Sequence, residues 1–569
     1  MISKVFSQWG DNMLKIYAAG GKSKPLDIKN NAVNAQAEIE KAKYSGAKLV
    51  VFPQGFLTGV HLGLLADAGY FATLYNQTVT KLAKANTDMF ILADVYTENG
   101  FEPMLFQGEQ QVCADRFELE GMTFVCFNSA RKLRESARDI KADCIVLTES
   151  APVLAGSRHL LKDLLTAVQT ATGATVFANL GGYGFTSHPD VYLPAVAYID
   201  SKQTFFTTTL PQYLECEKCW LIEQGRDGSG MFYNLPELEF DIAFNQNPLV
   251  PKQIDEKEYC LDLFHLQAVA LAARMSNINC KKAVVAVSGG LDSALALLVT
   301  ANAFDLMGID RKGIRAISMP GFGTSNTTRS LAQQLVESLG LDFELIDIKK
   351  SAHQALLDIG HDAVTPDVTF ENVQARMRTL HGLNLANAIG GIMIGTGDLS
   401  EEALGFSTYG GDHLASYNVN SSISKTVIRT MLPYVIQLDN MKSAAQPITD
   451  ILNIPVSPEL VPHGGEILQK TEEILAPYKL IDFFIYCFIV AKLSPIEMAQ
   501  RASCVFEGEF GSTYLKEKAQ MLCRRFITGQ FKRSCAPEGA ALTHVHLSGL
   551  DRSVPSDSAM SLFNHFLGL

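Results

Sequence analysis

No stretch of this chain approaches the ~18 consecutive apolar residues that a bilayer-spanning helix needs. The closest, Leu480 to Leu493, is interrupted by Asp482 and Lys492, so no membrane partner is expected. No long basic run offsets the formal net charge of −12. A phosphate backbone needs a positive footprint, so nucleic acid is not expected as a partner either. The first residues, Met1 to Trp9, lack the apolar core of a secretory leader. The 11 cysteines are scattered, as reduced thiols of a cytoplasmic protein would be. Cys216-Glu217-Lys218-Cys219 is the only CxxC, and no second pair stands at zinc-finger spacing. Charge is also sparse, 19% of residues against 47% hydrophobic, which excludes wholesale disorder and provides for large cores. At 569 residues the chain has room for two or more domains.

What the sequence does contain is centred on Ser288-Gly289-Gly290-Leu291-Asp292-Ser293. The preceding Ala283 to Val287 reads as a short buried strand, and Ala294 to Val299 as the first turns of a helix. A glycine-rich turn between strand and helix aims backbone N–H groups and the positive end of the helix dipole at an anion. Asp292 would repel a bare pyrophosphate, so it makes chemical sense as a magnesium ligand beside phosphates. No Lys follows the second glycine, so this is not a GxxxxGK[ST] loop. The stretch resembles the pyrophosphate loop of the N-type ATP pyrophosphatases, which split ATP into AMP and pyrophosphate.

The first half, residues 13–235, alternates strands and helices and predicts an α/β layer domain. Expected strands are 13–19, 47–53, 88–93, 122–127, 142–147 and 174–179, with a helix over 158–170. This order, with Gly46 to Pro53 and the segment around Cys126, resembles the nitrilase-like (carbon–nitrogen hydrolase) fold, an α-β-β-α sandwich. That family hydrolyses amides with a Cys nucleophile, a Glu base and an oxyanion-stabilising Lys. Here Gln54 stands where the Glu belongs, and an amide cannot accept the thiol proton. No Lys occurs between Lys84 and Lys132, where the family Lys should lie. Cys126 is in the nucleophile position but ends a buried strand, where a Cys is more often core. Gln54 and Cys126 therefore read as a degenerate glutaminase site, with nothing favouring Glu109 or Lys132 as substitutes.

Residues 236–262, rich in proline and mixed charge, read as a linker. Residues 263–569 continue as strand–helix units: strands at 313–319, 343–348 and 391–395, helices at 264–275, 327–338 and 371–388. Sequential βα units imply a doubly wound parallel sheet with ligands outside its C-terminal strand ends. Several stretches here, Ser288 to Ser293, Val368 to Arg378, Gly395 to Glu401, Gly411-Asp412-His413, Pro455 to Leu460 and Phe531 to Cys535, resemble NAD synthetase, in particular its glutamine-dependent two-domain form. Its second domain is of the ATP pyrophosphatase (adenine nucleotide alpha hydrolase-like) type.

That resemblance implies ATP-dependent amidation of nicotinic acid adenine dinucleotide through an acyl-adenylate, with ATP and Mg2+ required. It places Ser288, Gly289, Gly290, Asp292, Ser293, Arg376 and Thr396 at ATP. It places Asp292 and Glu401 at the metal, and Asn372, Glu401, Asp412, Lys532 and Asp551 at the dinucleotide. Asp292 and Lys425 are the catalytic candidates. Arg376 and Arg378 stand about 200° apart around a helix, so both cannot face one ligand; Arg376 is expected at ATP, with Arg378 outside or in an ion pair. Free ammonia is the expected nitrogen donor and the protein is expected to be a homo-oligomer. The alternatives are a fully glutamine-dependent enzyme with an atypical glutaminase site and a non-catalytic assembly homologue.

Overall fold

The computed structural model describes residues 14–19, 26–59, 62, 69–180, 195–201, 204–208, 220–224, 244–323, 326–454 and 475–547. Two compact units emerge, one from residues 1–153 with 157–239 and the other from 154–156 with 240–569.

The first unit contains two six-stranded sheets. One has the order β12-β1-β2-β3-β4-β5, from Leu14–Ala18 (β1), Leu49–Val51 (β2), Phe90–Thr97 (β3), Gly100–Gln107 (β4), Gln110–Cys113 (β5) and Trp220–Gln224 (β12). The other runs β11-β10-β9-β8-β7-β6, from Arg116–Leu119 (β6), Met122–Phe127 (β7), Cys144–Leu147 (β8), Thr175–Leu180 (β9), Ala195–Ile199 (β10) and Thr204–Thr208 (β11). Side-chain alternation sorts the residues into layers. Ile16, Leu49, Val51 and Leu92 meet Phe124, Cys126, Cys144 and Val146 between the sheets. Tyr17, Val50 and Ile91 face helices Ile28–Tyr44 (α1) and Gly69–Ala85 (α2) on one outer side. Leu147, Val176 and Ala178 face Ala130–Ser136 (α3) and Ser157–Thr172 (α4) on the other. The result is the α-β-β-α sandwich of the nitrilase-like fold. Strands β4–β6 and β10–β12 go beyond the expected set. They extend parallel centres through antiparallel pairings.

The second unit holds a parallel sheet of order β15-β14-β13-β16-β17. Its strands are Ala283–Ala286 (β13), Ile314–Ser318 (β14), Phe343–Leu345 (β15), Ile392–Gly395 (β16) and Tyr417–Asn418 (β17). The two-residue β17 follows what the sequence offered as the last strand; so short a run has no period to read. The chain steps outward from β13 to β14 and β15, then returns to lay β16 on β13's other side. Right-handed crossovers that reverse direction leave helices on opposite faces. Leu291–Leu306 (α6) packs against β13 and β14, backed by Glu256–Asn277 (α5) and Lys425–Val435 (α11). Val368–Ile389 (α9) covers Val284, Ile317 and Met393. The point of reversal lies between β13 and β16, where loops leaving neighbouring strands part and open a crevice. The chain also adds Leu399–Leu404 (α10), Tyr478–Ile489 (α13), Ser512–Thr528 (α15) and Gln530–Arg533 (α16), labels that leave α7, α8, α12 and α14 for Asn326–Ser338, Lys349–Asp358, Ala445–Leu452 and Pro495–Val505.

Candidate active site at the sheet reversal

The loop 288–293 leaves β13 and opens α6. Gly289 has φ +89°, a left-handed conformation that favours glycine. A Cβ on Gly290 would meet nothing nearer than Ser288 Oγ at 3.4 Å, so the space above this turn is open. Ser288 N donates to Ser293 Oγ (3.2 Å), and Ser293 Oγ donates to Gly290 O (3.0 Å). These bonds fix the turn, and the first N–H groups of a helix have no partner within it.

Beside this loop, Asp398 caps α10 by accepting from Glu401 N (2.9 Å). Lys425, at the first position of α11, reaches across to three acids. Its Nζ lies 2.6 Å from Asp292 Oδ2, 2.6 Å from Asp398 Oδ2 and 3.1 Å from Glu401 Oε1. Lys425 is only 1% exposed and Asp398 0%. Burial pushes the carboxyls of Asp292 and Glu401 up, more than the nearby ammonium lowers them. For Lys425, burial alone would lower the pKa, but the three acids together raise it well above the ordinary lysine value. Three acids around one cation leave excess negative charge, with Asp398 fully buried and Asp292 and Glu401 partly exposed. Asp292 Oδ1 is buried without a hydrogen-bond partner.

A second tier holds these groups. Asp482 of α13 accepts from Ser400 Oγ (2.5 Å), Thr426 N (3.0 Å) and Thr426 Oγ1 (2.6 Å). Ser400 Oγ in turn accepts from Lys425 N (3.0 Å). Asn420 Nδ2 donates to both Asp292 O (3.0 Å) and Thr396 O (3.2 Å), binding the two strand-end loops together. Asp398, Asn420 and Asp482 were not singled out from sequence as site residues. Asp398 had a signal, an acid three positions before Glu401 at a helix start. Asp482 had another, a lone acid within an apolar run.

The remaining candidates lie further along the crevice. Asp412, His413, Lys532 and Arg533 line a cleft with Asp398 and Glu401. Lys532 Nζ donates to Gly405 O (2.8 Å) and Ser407 O (2.6 Å). Asp412 Oδ1 accepts from Thr408 N (2.7 Å), and Asn372 Oδ1 from Thr408 Oγ1 (2.8 Å). The two arginines differ in exposure. Arg376 is exposed, with Nε donating to Tyr409 O (3.2 Å). Arg378 is half-buried, donating to Met319 O (3.0 Å) just beyond β14. A helix lying on a sheet can send a long side chain to either flank, which angular separation alone does not decide. Asp551, Pro455 to Leu460 and the Cys216/Cys219 pair lie outside the described residues.

In the first unit, Cys126 is 5% exposed between the sheets, and burial drives its thiol well above the ordinary range. Gln54 Oε1 accepts from Ser150 N (3.3 Å). Lys132 is exposed near Asn128 Oδ1, and Glu109 pairs with Lys84 at 3.0 Å.

This is a two-unit α/β protein joining a nitrilase-like sandwich to a doubly wound sheet with an acid–lysine centre at its reversal. Residues 265–522 match the NAD synthase family, and the chain is similar over that half to glutamine-dependent NAD(+) synthetases. It is 35% identical over 320 residues to the glutamine-dependent NAD(+) synthetase of Mycobacterium tuberculosis, covering 52% of this chain and 47% of that protein. The Mycobacterium leprae protein is 36% identical over 324 residues, with the same shares covered. The chain thus spans about half the length of the curated relatives it matches. In fold it resembles a glutamine-dependent NAD(+) synthetase from Cytophaga hutchinsonii, with TM-score 0.75 and 15% identity over 98% of this chain and 100% of that one. Another from Acinetobacter baumannii gives TM-score 0.61 at 16% identity, covering 95% and 98%.

Proposed function

We propose that the protein is an NAD+ synthetase, a ligase that forms a C–N bond by amidating nicotinic acid adenine dinucleotide at the expense of ATP. The carrying observation is the meeting of the 288–293 turn with Asp292, Asp398, Glu401 and Lys425 at the sheet reversal. In this reading the loop amides, Ser288 and Ser293 cradle the leaving pyrophosphate. Thr396 and Arg376 flank ATP. The dinucleotide lies toward Asn372, Glu401, Asp412 and Lys532, and Asp551 is proposed as a further contact.

The acid group also fits Mg2+. Asp292, Asp398 and Glu401 each offer a carboxylate oxygen, all within 4.8 Å of one another. Oxygen donors suit this hard cation, and Asp292 Oδ1 is an orphaned acceptor. When bound there, Mg2+ would supply charge neutralisation to the phosphates. The chain's own residues do the rest. Loop N–H groups hold the departing oxygens, and Lys425, released from part of its acid partners, balances charge growing at the α-phosphoryl group. The nicotinate carboxylate attacks that phosphorus and pyrophosphate leaves. Ammonia then displaces AMP from the acyl-adenylate to give the amide.

Free ammonia is the proposed nitrogen source because Gln54 cannot serve as a base and Cys126 is sealed in a core. The test is formation of AMP and pyrophosphate dependent on nicotinic acid adenine dinucleotide, with ammonium as donor. Asp292→Ala should lower it at least about 100-fold. Product formed without the dinucleotide, or undiminished in Asp292→Ala, would refute the reading.

A further inference from the structure

At the rim of the same cleft, His413 and Cys535 form a pair that the amidation does not use. His413 Nδ1 lies 2.9 Å from Thr408 O. A carbonyl only accepts, so the ring proton belongs on Nδ1 and Nε2 carries a lone pair. That Nε2 lies 3.5 Å from Cys535 Sγ. The thiol is exposed and also lies 3.2 Å from Lys532 O and 3.6 Å from Phe531 O. Of these three acceptors only the imidazole nitrogen can keep a proton. A thiol beside a base held in one tautomer by a third group is the arrangement of an activated nucleophile. The ring is further fixed by Tyr409, stacked on it at 6.0 Å, and Tyr409 packs on Phe531 at 5.4 Å.

We propose that Cys535, with His413 as its base, is a modification site that exchanges with small disulfides at the mouth of the cleft. Cys535 gives its proton to His413 Nε2, and the thiolate attacks one sulfur of the reagent. A new S–S bond forms as the reagent's own S–S bond breaks, and the departing thiolate takes the proton back from Nε2. Cys535 is oxidised and half of the reagent reduced. The adduct stands beside His413, Lys532, Arg533, Ala536 and Pro537, all of which line the cleft, and so obstructs it.

The experiment treats the full-length protein with oxidised glutathione and follows each cysteine by peptide mass spectrometry. Cys535 should be modified at least about tenfold faster than the exposed Cys113 and Cys504. His413→Gln should slow Cys535 about tenfold while sparing the other two, and added imidazole should restore part of the rate. Equal rates at the three cysteines, or a Cys535 rate unmoved by His413→Gln, would overturn the proposal. One further arm rests on the proposed function: oxidised glutathione should inhibit amidation reversibly, and Cys535→Ser should be active and insensitive. Inhibition that persists in Cys535→Ser would sink the obstruction. The labelling arm needs no activity, so the two readings fail separately.

Discussion

Lys425 carries a single positive charge into a site where three carboxylates meet, and its removal tests what holds that site together. Lys425→Met would leave Asp292, Asp398 and Glu401 crowded together without their cation, at an expected cost of about 2–4 kcal/mol near neutral pH, part of it relieved by solvent. Because burial already holds the Asp292 and Glu401 carboxyls up, they take protons readily and the deficit should shrink on acidification. Urea unfolding of both proteins at two pH values checks this; a deficit that grows as pH falls would contradict it. Asp94 offers a second titration, in the sandwich. Its carboxylate accepts from Tyr75 Oη (2.6 Å) and Gly55 N (3.2 Å), and burial raises its pKa from 3.8 to about 7. A raised acid binds more protons folded than unfolded, so its contribution to stability declines as pH rises from about 4 to about 7. Asp94→Asn should flatten that decline by up to a few kcal/mol, read as the change in unfolding midpoint across this window.

At the scale of elements, α10 and α11 start side by side and Asp482 of α13 joins them, accepting from Ser400 and from both Thr426 donors. Asp482→Ala removes three charge-assisted hydrogen bonds and should cost about 3 kcal/mol. Lys425 should also lose its fixed position, so amidation should fall further than unfolded fraction explains. Unfolding curves and turnover of the folded protein, measured together, separate the two effects. Between β14 and α9 the packing is closer still. A Cβ on Gly321 would stand 2.4 Å from Gln374 Oε1 and 3.0 Å from Arg378 Nη2. Gly321→Ala should therefore displace Gln374 and Arg378 and cost about 1–3 kcal/mol, which thermal unfolding will report.

For the whole molecule, the question is what the first unit contributes with an amide at Gln54 and with Cys126 buried. Gln54 is an amide bound to Ser150 N, Cys126 is buried and Glu109 is paired with Lys84, which supports the proposed use of free ammonia. Glutamine should support amidation at no more than about a hundredth of the rate with saturating ammonium, the order of loss expected when a general base is missing. Equal rates with the two donors would instead establish a working glutaminase with an unrecognised base. Among the described residues, no helix is long and apolar enough to cross a membrane.

The chain's own order of residues determined what depends on neighbours: the turn at 288–293, the strand and helix flanking it, the alternation of βα units, and the amide at position 54. Each is local, because backbone conformation and side-chain chemistry at a point are read over a few residues. Tertiary structure alone decided which distant groups share a space. Asp398 and Asp482 join the centre only because α10, α11 and α13 meet there, and Asn420 ties loops that leave different strands. The exposures of Arg376 and Arg378 depend on how α9 lies on its sheet. Likewise His413 and Cys535, 122 positions apart, become a pair only when two loops reach one rim. A desolvated charge answers to its whole surroundings, and those are assembled by packing rather than by adjacency.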